Sequence, residues 1–241
     1  MTVEASTRRD ELERDAEVWS TCTDCRLSQG RTTVVIGDGN PDADLMFVGE
    51  APGFHEDKRG IPFVGQAGGL LDELLGLIGL GRSDCYIANV IKCRPPGNRD
   101  PQPDEIEACE GKLYRQVAIV RPRVIATLGN FSTRLLSGRQ HGVSRVHGQA
   151  RRATLAGHEV VLYPLYHPAA ALYNPRLRPE LEADIKRIPA LLAHLATLGG
   201  ATDVPLPTSL PASPQVAAPP APAAAPAPLV PARAADQLEL F

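Results

Sequence analysis

Short, strongly apolar runs alternate with segments of helical periodicity over residues 1–200 of this chain. Four runs have the length and near-continuous apolar character of strands that are buried on both faces, which is typical of parallel sheets covered by helices. They are Leu45–Val48, Tyr86–Ile91, Val124–Leu128 and Val160–Leu165. The alternation predicts an α/β fold, a three-layer α/β/α sandwich with a mainly parallel central sheet.

The segments between these runs predict helices. Leucines recur at helical spacing in Gly69–Leu80. Asp104 and Glu107 have the spacing of a capping box, and the helix that they would begin carries Cys109 on its inward face.

Composition divides the chain into three parts. The folded domain is predicted to span residues 1–200. Its last helix is predicted from Pro179, with a kink or interruption at Pro189. Residues 201–236 are rich in proline and alanine, which cannot build a core, and they predict a disordered linker. Residues 237–241 then form a short, partly apolar peptide.

Four of the five cysteines have the layout of a metal or cluster site. Cys22 and Cys25 form a C-x2-C pair, and Cys93 and Cys109 follow with fifteen residues between them. Thiolates hold both iron–sulfur clusters and zinc, so the residues alone leave both open. The fifth, Cys85, lies in an apolar run and is interpreted as a core thiol.

The expected compartment favours metal ligation over disulfides. Residues 1–15 are highly charged and have no apolar run, so no secretory signal is expected. No stretch approaches the roughly 18 apolar residues of a membrane span. We therefore expect a cytoplasmic protein without membrane association, whose thiols stay reduced.

Several candidate site residues follow predicted strands, where open parallel sheets bind their ligands. Glu50 lies between Gly49 and a turn that ends in Gly53, so the backbone can approach a ligand closely, and both glycines are expected to contact substrate. Asn89 offers one acceptor oxygen and two donor hydrogens, the complement of a pyrimidine edge with O4 and N3–H. A turn-forming role for this asparagine remains open.

Two ring-bearing residues add to this set. His167 precedes a proline at the end of the fourth predicted strand, where it could stabilise developing negative charge or place a proton. Phe63 lies on a proline-containing loop before a helix and could stack on a base. A structural role for the histidine and core packing for the phenylalanine remain the alternatives.

Charge is distributed unevenly along the chain. The net charge of −3 does not by itself indicate nucleic acid, but residues 111–158 contain no Asp or Glu. Their lysine and arginine residues are Lys112, Arg115, Arg121, Arg123, Arg134, Arg139, Arg145, Arg151 and Arg152. Such a segment could form a surface for a phosphate backbone or an ordinary solvated face.

Four motifs, in order and together with the four cysteines, strongly resemble the family 4 uracil-DNA glycosylases over residues 20–195. They are the segments 49–53, 62–65, 89–96 and 167–170. The resemblance implies the uracil-DNA glycosylase α/β/α fold and hydrolysis of the N-glycosidic bond of deoxyuridine in single- and double-stranded DNA, which leaves an abasic site. It also implies a [4Fe-4S] cluster on the four cysteines, with zinc as the alternative.

The resemblance also implies roles for individual residues. Phe63 would stack on the flipped uracil and Asn89 would read its polar edge. Glu50 and His167 would flank the glycosidic bond, with His167 supporting the uracil anion as the leaving group.

This sequence departs from better-known relatives in two places. Ala51 stands where an aspartate orients the attacking water, so Glu50 is the leading candidate for placing that water. A covalent-trapping subgroup carries a histidine in an arginine-rich insertion, whereas Arg94–Arg99 contains none. Turnover is therefore expected, with Arg94 and Arg99 contacting DNA. The alternatives are a uracil-DNA-binding protein without turnover and an iron–sulfur redox protein.

The last five residues resemble the peptide by which bacterial repair proteins dock on the sliding clamp. Leu240 and Phe241 can fill an apolar pocket, while Gln237 binds through its amide and Leu238 adds apolar contact. We expect a monomeric, nucleoid-associated protein that is tethered to the clamp by its linker.

Overall fold

A computed structural model of the chain describes residues 3–197. The expected linker at 201–236 and the expected clamp-binding peptide at 237–241 lie outside the described residues. No helix among residues 3–197 is long and apolar enough to cross a membrane.

The centre of the fold is a six-stranded sheet with the strand order β1-β3-β2-β4-β6-β5. The strands are β1 (Asp38–Gly39), β2 (Leu45–Gly49), β3 (Tyr86–Asn89), β4 (Val124–Leu128), β5 (Arg151–Leu155) and β6 (His158–Leu165). The pairs β3-β2, β2-β4 and β4-β6 are parallel, and only the two edge strands pair antiparallel. The prediction of a mainly parallel sheet is confirmed.

Helices cover both faces of this sheet. They are α1 (Val3–Ser20), α2 (Phe54–Arg59), α3 (Gln66–Gly76), α4 (Pro103–Glu107), α5 (Glu110–Val120), α6 (Asn130–Ser137), α7 (Val143–Val146), α8 (Pro168–Tyr173), α9 (Arg178–Ile185) and α10 (Ile188–Thr197). Single 3-10 turns lie at Arg26–Gln29, Arg82–Asp84, Pro96–Asn98 and Pro175–Leu177. The three-layer α/β/α sandwich is therefore confirmed.

The core is split into two layers by the alternation of side chains along the strands. All five residues of β2 are buried, and so are all five of β4. In β2, Phe47 packs into the layer formed with α3, α8, α9 and α10, while Met46 packs into the layer formed with α1, α5 and α6. Because successive strand residues point to opposite faces, both layers need apolar residues, which explains the continuous apolar runs.

Each of the four predicted strands is present, and three of them differ from the prediction at their ends. Strand β3 stops at Asn89, two residues earlier than expected, although the N–H groups of Val90 and Ile91 still bind the carbonyls of Gly49 and Glu50 at 3.0 and 3.1 Å. Sequence reasoning missed the edge strands β1 and β5, because neither carries a continuous apolar run.

Two predicted helices differ from the structure. Helix α3 occupies Gln66–Gly76 instead of Gly69–Leu80, since Gly79 adopts a φ of +71° and the N–H of Leu80 turns back to the carbonyl of Leu75 at 3.1 Å. This left-handed glycine ends the helix in the usual way.

The predicted helix through Cys109 is in fact two helices. Helix α4 ends at Glu107, and Cys109 is the N-cap residue of α5 rather than an interior position. The observed capping box pairs Gln102 with Glu105, whose carboxylate accepts from the N–H of Gln102 at 2.9 Å, so the box expected at Asp104 and Glu107 is wrong by two positions. Glu105 also binds Arg99, a contact that sequence spacing does not reveal.

The predicted interruption at Pro189 is confirmed. Pro189 is the second residue of α10, which is separated from α9 by Lys186 and Arg187. Pro168 is the first residue of α8, with His167 as its N-cap residue.

The connections between the strands leave a crevice at the carboxyl end of the sheet. The chain runs from β2 to β3 on one side and from β4 towards β6 on the other, so these connections diverge between the neighbouring strands β2 and β4. In open α/β sheets, ligands bind at the carboxyl ends of the strands beside such a point.

Candidate active site

Gly49, Asn89 and Phe63 meet at the carboxyl end of β2. Gly49 and Asn89 are paired in the register of β2 and β3. A Cβ atom on Gly49 would lie 2.6 Å from Cζ of Phe63 and would also clash with Oδ1 of Asn89. Only glycine therefore lets the phenyl ring and the amide approach each other here.

The loop that carries Phe63 is held in an unusual backbone conformation. Phe63 has a φ of +53°, and its side chain is buried. The guanidinium of Arg82 donates to the carbonyl of Pro62 at 3.0 Å and to that of Phe63. A non-glycine residue in this region needs such external contacts to persist.

The carboxylate of Glu56 joins the two walls of the pocket. One oxygen accepts from the N–H groups of Val64 and Gly65 at 2.9 and 2.8 Å. The other accepts from the N–H of Gly53 at 3.1 Å. Sequence reasoning gave Glu56 no role, although its position three residues after Gly53 matches that of a capping carboxylate.

His167 presents a defined tautomer to the pocket. Its Nδ1 accepts from the N–H of Ala169 at 3.1 Å, so the neutral ring carries its proton on Nε2. Desolvation lowers the pKa of His167 to about 4, and the nearby Glu56 carboxylate opposes the shift. The imidazole stacks with the Phe63 ring at a centroid distance of 5.7 Å and an interplanar angle of 27°. The residue is thus a neutral hydrogen-bond donor at neutral pH.

The pKa of Glu50 is shifted in the opposite direction. Desolvation raises its pKa to about 7, and the negative charge of Asp100 adds to the effect. A carboxyl group with a pKa close to the working pH suits a general base.

Asn89 has an unsatisfied acceptor. The residue is 2% exposed, and its Oδ1 has no hydrogen-bond partner among the described residues. The backbone around it is satisfied, since its carbonyl accepts from Nζ of Lys92 at 2.8 Å. A buried acceptor without a donor is costly, and in a pocket it indicates a ligand group that donates.

An exposed aromatic ring lies next to the Gly53 turn. Phe54 is 44% exposed, with Nζ of Lys58 and the guanidinium carbon of Arg94 at 4.4 and 5.1 Å from its ring centroid. The Nε of Arg94 also donates to Asn98 at 2.7 Å. Sequence reasoning missed Phe54, whose only signal was an aromatic residue directly after a glycine turn.

Arg99 is engaged inside the protein. Its guanidinium donates two hydrogen bonds, of 2.8 and 2.5 Å, to the fully buried carboxylate of Glu105. This contact gives Arg99 a structural role at the start of α4. Its predicted contact with DNA, like that of Arg94, stays a prediction.

The four predicted cysteine ligands line one cavity away from the pocket. Cys22 and Cys25 reach it from the N-terminal segment, Cys93 from the segment after β3, and Cys109 from the start of α5. Within residues 3–197, no group of three or more His, Cys, Asp or Glu side chains is placed to hold a metal ion. The four thiols therefore share one cavity.

Two N–H donors point at the sulfur atoms of this cavity. The backbone N–H of Lys92 donates to Sγ of Cys109 at 3.3 Å, and Nη1 of Arg31 approaches Sγ of Cys93 at 3.5 Å. Lys112 also lines the cavity. Donors and positive charge stabilise thiolates, so the donor set fits a group with cysteinate ligands. Burial nevertheless raises the pKa of Cys93 to about 11 and also raises that of Cys109, with Arg31 and Lys92 opposing the respective shifts. Cys85 lies outside this cavity, and burial raises the pKa of its thiol to about 12.

Comparison with known proteins agrees with this geometry. Residues 36–190 match the model of the uracil DNA glycosylase superfamily. The chain is 47% identical over 184 residues to a type-4 uracil-DNA glycosylase of Sulfurisphaera tokodaii, covering 74% of this chain and 84% of that protein. It is 48% identical over 171 residues to the type-4 enzyme of Archaeoglobus fulgidus, covering 69% and 86%. The chain therefore belongs to the uracil-DNA glycosylase superfamily and, within it, to the type-4 uracil-DNA glycosylases.

Proposed function

We propose that this protein hydrolyses the N-glycosidic bond of deoxyuridine in DNA and leaves an abasic site, the first step of base excision repair. Family membership supports this activity. The observation in the site that carries the proposal is the buried, unpartnered Oδ1 of Asn89 beside the Phe63 ring.

Uracil recognition follows from the amide of Asn89. Its Oδ1 accepts from N3–H of the base, and its Nδ2 donates to O4. Cytosine presents an acceptor and a donor in the reverse order, so the same amide leaves both groups unpaired and rejects it. The Phe63 ring stacks on the base, which the enzyme reaches by extruding it from a duplex or by taking it from a single strand.

His167 stabilises the departing base. Negative charge develops on the uracil ring as the glycosidic bond breaks, and the Nε2–H of His167 donates to the oxygen that carries it. Because the neutral imidazole already carries a proton on Nε2, it can donate this hydrogen bond at neutral pH without first being protonated. The Ala169 N–H keeps this tautomer in place.

Glu50 places the water that attacks the sugar. Its carboxylate can accept a proton from that water when ionised, and its negative charge also stabilises the positive charge that develops on the sugar. Ala51, the next residue, has no group that could do either. Glu50 is therefore the acidic residue of segment 49–53 to which we assign the placement of the water.

Cys22, Cys25, Cys93 and Cys109 hold a [4Fe-4S] cluster in this proposal, with zinc as the alternative. Their shared cavity, the N–H donors at two sulfurs and the membership of the type-4 family support the cluster. The bound group supplies cross-linking, because it joins the N-terminal segment to β3 and α5. The reaction itself is carried out by Asn89, Glu50 and His167 in the pocket at the carboxyl end of the sheet.

The partners follow from the activity and from the sequence. We propose that the monomer acts on single- and double-stranded DNA of the nucleoid in the cytoplasm. Gln237, Leu238, Leu240 and Phe241 dock on the sliding clamp and keep the catalytic domain beside clamp-encircled DNA. The resemblance of this peptide to clamp-binding peptides supports the contact.

Alkali cleavage of a labelled oligonucleotide tests the activity. The protein is incubated with strands that differ only in one base, uracil, cytosine or thymine, in single-stranded form and opposite adenine or guanine. Strand breaks at the uracil position, and none at cytosine, are expected. Intact uracil strands after alkali would refute the proposal.

A further inference from the structure

A second cavity, separate from the thiol cavity, lies near the carboxyl end of the sheet, where the active site is located. It has a volume of about 370 Å³ and opens between α6, the segment that leads into α7, the edge strand β5 and its neighbour β6. Its polar lining includes Arg139, His141, Arg151 and Arg152, and its apolar lining includes Val146 and Leu162. The volume is in the range of cavities that hold small ligands, roughly 300–1,000 Å³.

The lining selects for an anion. None of its residues is acidic, and residues 111–158, which supply most of it, contain no Asp or Glu at all. Arg139, His141 and Arg151 are exposed, so their charged groups are accessible to a ligand from solvent. Arginine is well suited to phosphate because its planar guanidinium can donate two parallel hydrogen bonds.

Two elements connect this cavity to the active site. Strand β6 contributes Leu162 and Pro164 to the cavity and ends at Leu165, two residues before His167. Helix α6 contributes Thr133 and Ser137.

The start of α6 lies beside the catalytic histidine. The helix begins directly after Gly129, where a Cβ atom would lie 3.2 Å from Cβ of His167. At about 1.5 Å of rise per residue, Thr133 and Ser137 lie roughly 5 and 10 Å along α6 from its first residue. That distance corresponds to about one to three nucleotides of a stacked strand at ~3.4 Å each.

We infer that this cavity is a second DNA subsite, which binds a backbone phosphate of the strand whose uracil occupies the active site. Arg139 and Arg151 contact the phosphate, and the apolar lining packs against the attached sugar. The inference rests on the proposed function for the identity of the ligand. It assigns part of the basic segment 111–158 to DNA and leaves Arg121 and Arg123, which precede β4 at the opposite edge of the sheet, outside the contact.

A paired charge substitution tests the subsite. Arg139→Gln with Arg151→Gln removes two exposed charges, and Arg121→Gln is the control because it removes an exposed charge at the far edge. Binding is measured by fluorescence anisotropy over a range of salt concentrations. One single-stranded oligonucleotide carries uracil with several nucleotides on each side, and a short one carries a single nucleotide on each side.

The double variant should bind the long oligonucleotide about tenfold more weakly, with the log–log salt slope reduced by about 0.7 for each lost phosphate contact. Its affinity for the short oligonucleotide, its single-turnover rate at saturating enzyme and its melting temperature should match wild type. Equal weakening for both oligonucleotides, or an equal effect of Arg121→Gln, would overturn the inference. A wild-type protein that releases no uracil from either strand would instead reject the proposed function, while the binding comparison would still decide about the cavity.

Discussion

Desolvation moves the pKa values of Glu50 and His167 in opposite directions. Burial disfavours the charged form of each group, so it raises the pKa of the acid to about 7 and lowers that of the base to about 4. Near pH 7 the pocket therefore contains a carboxyl group that is close to its titration midpoint and an imidazole that is neutral. Such a divergence separates a water-activating group from a hydrogen-bond donor within one pocket.

The first prediction concerns the pH dependence of uracil release. Since Glu50 acts as the carboxylate, the single-turnover rate should rise with pH through about 7 and level off above it. His167 should add no limb between pH 5 and 8, because its pKa lies below this range. Glu50→Gln should lower the rate by about 10²-fold or more and remove the rising limb. A rising limb that persists in Glu50→Gln would contradict the assignment of Glu50, and a second limb between pH 5 and 8 would contradict that of His167.

The second prediction concerns the close approach at Gly49. In Gly49→Ala, the new methyl group would force the Phe63 ring and the Asn89 amide out of position. The rate of uracil release should fall by the equivalent of about 2–4 kcal/mol of lost transition-state stabilisation, comparable to the loss of one well-placed polar group. Gly76→Ala is the matched control, because nothing lies within 4 Å of a Cβ atom at that position. Equal rates for both variants would refute the close-contact account.

At the level of single residues, sequence patterns located the groups that could meet the base, and the structure brings Asn89, Phe63 and His167 together. They gave no role to Glu56 or Arg82. Both residues bind backbone groups of the Phe63 loop, and those partners come within reach only when Phe63 adopts its positive φ. A side chain that recognises a backbone conformation leaves no residue pattern of its own.

At the level of elements, the segment between Arg94 and α4 connects the thiol cavity to the mouth of the pocket. Arg94 lies over the Phe54 ring, and Arg99 binds Glu105 at the start of α4. Two residues beyond α4, Cys109 lines the thiol cavity. A change in the cavity can therefore alter this segment through directly bonded elements.

The third prediction concerns Phe54. Its exposed ring, with positive charges at Lys58 and Arg94, resembles the aromatic platforms on which single-stranded bases stack. Phe54→Ala should weaken binding of single-stranded DNA by about 1–3 kcal/mol, the usual value of one stacked base. Leu77→Ala is the control, since Leu77 is similarly exposed, at 48%, and lies in the turn after α3. Unchanged affinity in a filter-binding assay of Phe54→Ala would reject this contact.

The fourth prediction concerns the bound group in the thiol cavity. Serine at Cys22, Cys25, Cys93 or Cys109 should each reduce iron and sulfide content, visible absorbance and melting temperature, because the group joins separate elements. Cys85→Ser should retain iron, since that thiol lies outside the cavity. Zinc without sulfide in the purified protein would favour the zinc alternative, and four serine variants with wild-type stability would reject the cross-linking role.

The elements themselves were predictable to different degrees. The strands β2 and β4 are buried along their whole length and, apart from Thr127, apolar, so their sequences form near-continuous apolar runs. The edge strands have mixed polarity, because one edge of each faces no other strand. The α4–α5 break was missed because Glu105 is held by Arg99, a residue outside the helix, and local spacing alone favoured Asp104 as the cap.

At the level of the whole molecule, the proposed clamp contact separates recruitment from catalysis. The linker of residues 201–236 would span on the order of 30–100 Å, between the limits of a flexible coil and an extended polyproline chain. In this proposal, the tether raises the effective concentration of the catalytic domain on DNA near the clamp. Catalysis on a free oligonucleotide needs no such tether.

The fifth prediction follows from that separation. Deletion of Gln237–Phe241 should abolish capture of the protein by an immobilised bacterial sliding clamp, since it removes the apolar tip and the amide. Uracil release from short oligonucleotides should remain at the wild-type rate. A second variant, with Leu240 and Phe241 replaced by alanine, keeps the chain length and should lose clamp capture as the deletion does. Clamp capture that is equal with and without these residues would contradict the proposal.

The most direct measurement counts free uracil and abasic sites in the same reaction. With substrate in excess over enzyme, the protein should release one uracil for every alkali-labile site and should complete many turnovers. Asn89→Asp should slow this release, because a carboxylate repels O4 and cannot donate to it. A stable protein–DNA complex with at most one uracil released per enzyme, or tight uracil-DNA binding without any release, would contradict the account.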